Sequence, residues 1–82
     1  LESVLRALTR IAFGQRRKQF QRILRDALGL APERIEEIES VTGFDLRDRP
    51  ETFSPGQFIE LARVLQERGW IGSEDAPLAG GN

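Results

Sequence analysis

Arg16, Arg17 and Lys18 stand in a row directly after Phe13-Gly14-Gln15, and no other stretch of the chain concentrates as much chemistry. Arginine grips phosphate through a planar fork and lysine offers a compact point charge, so the run is suited to binding an anion. The apolar periodicity predicts a second helix over residues 15–28, which sets these cations at its start. A helix start carries roughly half a positive charge, and each cation placed there is unfavourable by about 0.3–1 kcal/mol at low salt. A sequence selected for stability alone would put an acid there, as Glu33 does at the start of the third helix. The misplaced charges therefore predict an external phosphate, which would meet free backbone N–H groups, the dipole and three cationic side chains together. Lys18, Arg22 and Arg25 continue the pattern at i, i+4 and i+7, beside Phe20, Ile23, Leu24 and Ala27. Arg6 and Arg10 form an i, i+4 pair on the first helix, which a short link through Gly14 would pack beside the second. The predicted nucleic-acid contacts are thus Arg6, Arg10, Arg16, Arg17, Lys18, Arg22 and Arg25. With no Asn or aromatic residue interleaved among them, the surface suits a sugar–phosphate backbone and not base reading or stacking. The competing reading is an ordinary solvated helix face.

The charge balance supports a partner for this half. Residues 1–28 hold seven cations against two acids, a net of +5, whereas residues 29–82 hold five cations against eleven acids, a net of −6. Such a split within a chain of net charge −1 points to nucleic acid as the partner of the basic half. Eleven of the twelve cations are Arg; a biased genome or a thermophilic source would also produce that count. Cys and His are absent, which removes disulfides, thiolate zinc sites and the Ser-His triad. No GxGxxG or GxxxxGK[ST] stretch offers a nucleotide loop. Glu33, Glu36, Glu37 and Glu39 read as a solvated acidic face, so neither a catalytic nor a metal site is expected in this chain. No apolar run approaches the roughly 18 residues that would span a membrane, and no signal peptide is visible. A cytoplasmic location is expected. The chain opens on Leu1 and has no Met, so a processed chain or a piece of a longer protein is expected.

Four helices must position these residues. The first is predicted over 2–13, with Leu1, Val4, Leu5, Leu8, Ile11 and Ala12 inward and Gly14 as its stop. The second ends at Gly29. The third opens on Pro32, buries Ile35, Ile38 and Val41, and closes at Gly43. The fourth has Ser54 as N-cap, Pro55 at N1 and Gln57 at N3, a capping box, with Phe53 and Phe58 as its hydrophobic staple. Phe58, Leu61, Ala62 and Leu65 face inward until Gly69. Residues 44–52 read as a charged loop in which Arg47, Asp48, Arg49 and Glu51 flank Pro50 and pair with each other or with the helices. The fold class is all-α: a small four-helix domain over 1–70, with Trp70 in its core, followed by a disordered C-terminal tail over 71–82.

The order of motifs resembles a known family. Leu8-Thr9-Arg10-Ile11-Ala12-Phe13-Gly14-Gln15-Arg16-Arg17-Lys18, an acid-rich helix, Arg49-Pro50-Glu51-Thr52-Phe53-Ser54-Pro55 and Phe58-Ile59-Glu60-Leu61-Ala62 together resemble the C-terminal domain of KsgA-type ribosomal RNA adenine dimethyltransferases. The resemblance covers residues 1–68, and a more distant one extends to the mitochondrial transcription factors related to these enzymes. It implies a parent enzyme that uses S-adenosylmethionine to dimethylate two adjacent adenines of small-subunit ribosomal RNA. It also implies an N-terminal methyltransferase domain in the same parent chain, and docking on the immature small ribosomal subunit through Arg16, Arg17 and Lys18. The family's cofactor loop and its Asn-Leu/Ile-Pro-Tyr/Phe catalytic motif are missing, since the one Asn is Asn82. A DNA-binding helical module and a protein-interaction domain remain as alternatives.

Overall fold

The computed structural model describes residues 1–15 and 17–71. Within them the chain forms α1 (Glu2–Gly14), α2 (Phe20–Leu28), α3 (Pro32–Thr42), a single 3-10 turn (Pro50–Thr52) and α4 (Pro55–Glu67), with no strand. The all-α, four-helix expectation holds. α1 packs against α4 and α2, and α3 closes the body against α2 and α4. The tail expected over 71–82 lies outside the described residues, apart from Ile71.

Helix ends governed by local rules fall where the sequence places them. Ser54 accepts a hydrogen bond from the Gln57 N–H at 3.2 Å, and the Gln57 side chain accepts from the Ser54 N–H at 2.8 Å. Phe53 and Phe58 meet edge to face with ring centroids 6.4 Å apart, completing the staple. Gly29 and Gly43 end α2 and α3 at φ of 67° and 78°, a left-handed conformation that a Cβ would strain.

The second helix departs from expectation. It begins at Phe20 and not at residue 15, and α1 instead runs on through Gly14. Gly14 is helical, not a left-handed cap; Gln15, at φ −139° and ψ 46°, ends α1. Gln15 and Lys18 then close a turn through a 3.0 Å bond from the Lys18 N–H to the Gln15 carbonyl. The reason lies across the fold. The Phe20 ring is fully buried, and the Phe20 and Gln21 N–H groups donate to the carbonyls of Asp48 and Leu46 at 2.9 and 2.7 Å. A helix continuing back through Gln19 would turn those donors onto its own carbonyls, so tertiary pairing overrides the good helix propensity of the Gln-Arg-Arg-Lys-Gln run.

The loop that supplies these acceptors contains a core residue. Leu46 is fully buried although charged residues surround it in sequence. Its N–H donates to Glu39 Oε2 at 2.8 Å, which ties the loop to α3. Pro50, also fully buried, starts the 3-10 turn.

Three further expectations need correction. Val41 is 51% exposed, because α3 turns only Ile35 and Ile38 inward. Leu1 is 47% exposed, just ahead of the first turn of α1. Trp70 is half-buried at the rim, with the guanidinium groups of Arg34 and Arg68 over its ring at 4.8 and 5.6 Å, while Ile71 takes the core position. Arg68 also pairs with Glu37, which joins α3 to the end of α4.

Because Leu46 fills the core and its loop aims two carbonyls at α2, Leu46→Ala should cost about 2–5 kcal/mol of stability in urea unfolding followed by circular dichroism. A loss below about 1 kcal/mol would mean that the loop is not a structural part of the core.

Candidate nucleic-acid interface

The predicted cations fall into three groups. Arg6 and Arg10 lie on the outer side of α1, one turn apart, opposite the buried Val4, Leu8 and Ala12. Arg17 and Lys18 lie in the exposed turn between α1 and α2. Arg22 and Arg25, with Asp26, make up the solvent face of α2, opposite Phe20, Ile23 and Leu24. Arg16 lies outside the described residues.

Lys18 is not on a helical stripe with Arg22 and Arg25, since it precedes the helix. It reaches the same face by another route: its ammonium bonds Asp26 Oδ2 at 3.2 Å, and Asp26 is the i+4 neighbour of Arg22. Both partners are about half exposed, so the pair is worth roughly 0–1 kcal/mol and can exchange for a ligand anion.

The free helix N–H groups expected at the basic run are not there. The first two donors of α2 are taken by Asp48 and Leu46, and the Arg22 N–H bonds the Gln19 carbonyl at 3.0 Å. These carbonyls also bring the negative partial charge that an acidic first-turn residue would have supplied, which is how the fold tolerates cations nearby. An anion at this surface must therefore be held by side chains.

Carboxylate pairs occur in both halves of the chain. In the acidic half Arg47 bonds Asp45, Arg63 bonds Glu60 and Arg68 bonds Glu37, Arg34 lies over Trp70, and no carboxylate among the described residues pairs with Arg49. In the basic half Arg6 approaches Glu2 at 3.9 Å and Lys18 holds Asp26. Among the described residues no carboxylate pairs with Arg17, Arg22 or Arg25, and all three are exposed.

One residue at this surface is invisible to the sequence patterns. Phe13 lies 45% exposed beside the cations and lines an open cleft of about 430 Å³ with Gly14, Gln15, Arg17 and Lys18. An aromatic ring is thus placed among cations, contrary to expectation. Its position off the Val4–Leu8–Ala12 stripe of α1 is the one signal the sequence carries. On its other side Phe13 borders an apolar groove formed with Leu5, Thr9, Pro55 and Ile59.

Among the described residues no group of three or more metal-ligating side chains converges, and no helix is long and apolar enough to cross a membrane. The cleft beside Phe13 does not suit S-adenosylmethionine. That cofactor carries a net positive charge, and the cleft beside Phe13 is lined by Arg17 and Lys18 and by no carboxylate.

Fold and surface together define a small all-α domain with a basic connecting turn beside an exposed aromatic ring at the end of α1. Over 62 residues the chain is 37% identical to the ribosomal RNA small subunit methyltransferase A of Chlamydia muridarum, a match spanning 74% of this chain and 21% of that protein. The chain thus spans about a fifth of the length of the relative it matches. No family model and no solved structure matches it.

The loop that caps α2 carries its own electrostatic signature. Two hydrogen bonds from the Arg47 guanidinium, at 3.1 Å each, together with one from the Arg47 N–H at 2.9 Å, hold the Asp45 carboxyl below its ordinary value. The Asp45 carboxyl should titrate below the usual aspartate range by NMR, and Arg47→Ala should raise it part of the way back, since the backbone N–H at position 47 still donates. A depressed folded pKa contributes stability above the unfolded pKa, lost as pH falls through the folded one. An Asp45 titration unmoved by Arg47→Ala would remove this account.

Proposed function

We propose that this chain is the ribosomal RNA-docking domain of an S-adenosylmethionine-dependent small-subunit rRNA adenine N6,N6-dimethyltransferase, acting in ribosome biogenesis in the cytoplasm. Its surface holds the immature small subunit by neutralising RNA phosphates. The chemistry and S-adenosylmethionine belong to a methyltransferase domain preceding it in the parent protein. The observation that carries the docking role is the exposed cationic surface of Arg17, Lys18, Arg22 and Arg25, three of which have no carboxylate partner among the described residues. The named relative supplies the RNA: its name specifies ribosomal RNA of the small subunit and methyl transfer. Arg6, Arg10 and Arg16 are assigned to the same surface. Arginine and lysine side chains do this work without help from helix N–H groups, so affinity follows counterion release. Duplex DNA is a weaker candidate, because α3 would bring Glu33, Glu36 and Glu37 to a groove.

Titration of the chain with a small-subunit rRNA fragment at several salt concentrations tests this reading. Replacing Arg16, Arg17 and Lys18 by Ala should flatten the slope of log K against log salt by roughly 0.7–0.9 for each phosphate no longer neutralised. Arg47→Ala, in a paired loop, should leave the slope unchanged. An unaltered slope in the triple variant would remove the site, and tighter binding to duplex DNA than to RNA would redirect the function. The parent reading frame is expected to extend upstream into a domain carrying the Asn-Leu/Ile-Pro-Tyr/Phe motif; its absence there would remove the enzyme assignment.

A further inference from the structure

Cations alone account for attraction to any nucleic acid, paired or not. The cleft beside them holds something more selective. Phe13 is the outermost member of a connected set of rings that includes all five phenylalanines of the chain. It stacks on Phe58 at 5.5 Å and 24°; Phe58 touches Phe20 at 5.6 Å; Phe20 meets Phe53 at 5.1 Å; and Phe53 meets Phe44 at 5.9 Å. Phe58 and Phe20 are buried, so Phe13 is fixed from behind by the core. With one face against Phe58, Phe13 is still 45% exposed, and it lines both the cleft shared with Arg17 and Lys18 and the apolar groove of Leu5, Thr9, Pro55 and Ile59. A lone exposed Phe would mean little. A rigid ring flanked by two exposed cations has the composition of a site for one nucleotide: a π-face for the base and positive charge for the phosphate.

We propose that this cleft binds an unpaired nucleotide of the RNA, with Phe13 stacking on its base and Arg17 and Lys18 holding the adjoining phosphates. The inference rests on the reading of the basic turn as an RNA contact, and it changes what that contact selects. A surface of cations alone binds the backbone of any helix; this one favours a bulge, a loop or a splayed end. Stacking tolerates any base, because every base has a π-face, so the selection is for strandedness and not for sequence.

The test compares two RNA hairpins of equal phosphate number, one fully paired and one with a single-nucleotide bulge carrying 2-aminopurine. The chain should bind the bulged hairpin about tenfold more tightly and quench the 2-aminopurine fluorescence. Phe13→Leu should bring the two affinities together and abolish the quenching. Phe13→Trp should keep both the preference and the quenching. Circular dichroism melting shows whether each variant is folded, and Phe13→Trp carries the test if Phe13→Leu is not. Equal affinity of the unaltered chain for both hairpins would overturn the stacking site and leave the backbone contact standing, as would a preference that survives in Phe13→Leu. Failure to bind either hairpin would overturn both readings.

Discussion

The N–H groups of Phe20 and Gln21 leave the first turn of α2 with no acceptor on their own helix, and the N-cap residue Gln19 offers no side-chain cap. An unmet backbone donor shielded from water costs about 1–3 kcal/mol, so something must face them. The carbonyls of Asp48 and Leu46 do. To reach that place the loop needs anchors: Leu46 fills the core, Glu39 holds its N–H, and Arg47 braces Asp45. α2 is thereby fixed to begin at Phe20, which forces the preceding residues out of helical geometry. Arg17 and Lys18 stand in an exposed turn because a loop some thirty residues later has claimed the helix start.

A similar division governs the arginines. In the acidic half three hold structure: Arg68 ties α4 to α3, Arg34 and Arg68 lie over Trp70, and Arg47 stiffens the capping loop. Arg17, Arg22 and Arg25 have no carboxylate partner among the described residues, although acids outnumber bases in the chain. With most acids on other elements and only Asp26 on the outer face of α2, a local positive field remains on a chain whose net charge is −1.

Features decided by a few neighbouring residues are legible without coordinates. The capping box of Ser54 and Gln57, Pro32 at the start of α3 and the left-handed Gly29 and Gly43 need only local stereochemistry. What depends on distant partners is not legible. Periodicity sets the start of α2 five residues early, because it does not register that Asp48 and Leu46 accept the helix's first donors. Leu46 is lost among charges because one apolar residue in a loop has no period. The cations stand out in the sequence, but the way they hold an anion does not: helix donors look free there, and the fold has already used them. Phe13 escapes notice because sequence shows no boundary between an aromatic that enters the core and one that stops at its edge.

That last distinction bears on how so small a domain can discriminate. A chain of 82 residues has a modest core, and leaving a ring half outside forgoes part of the roughly 1.5–3 kcal/mol its burial would contribute. The arrangement recovers something else. A side chain held by a stack of rings has little rotamer freedom left to lose when a ligand arrives, whereas arginine and lysine must give up much of theirs. Cations supply reach and attraction from a distance; a ring fixed to the core supplies a surface that is already in place. The five phenylalanines thus run from the buried Phe20 to the exposed Phe13 as one rigid unit, and the packing that holds the helices together also sets the geometry of the cleft.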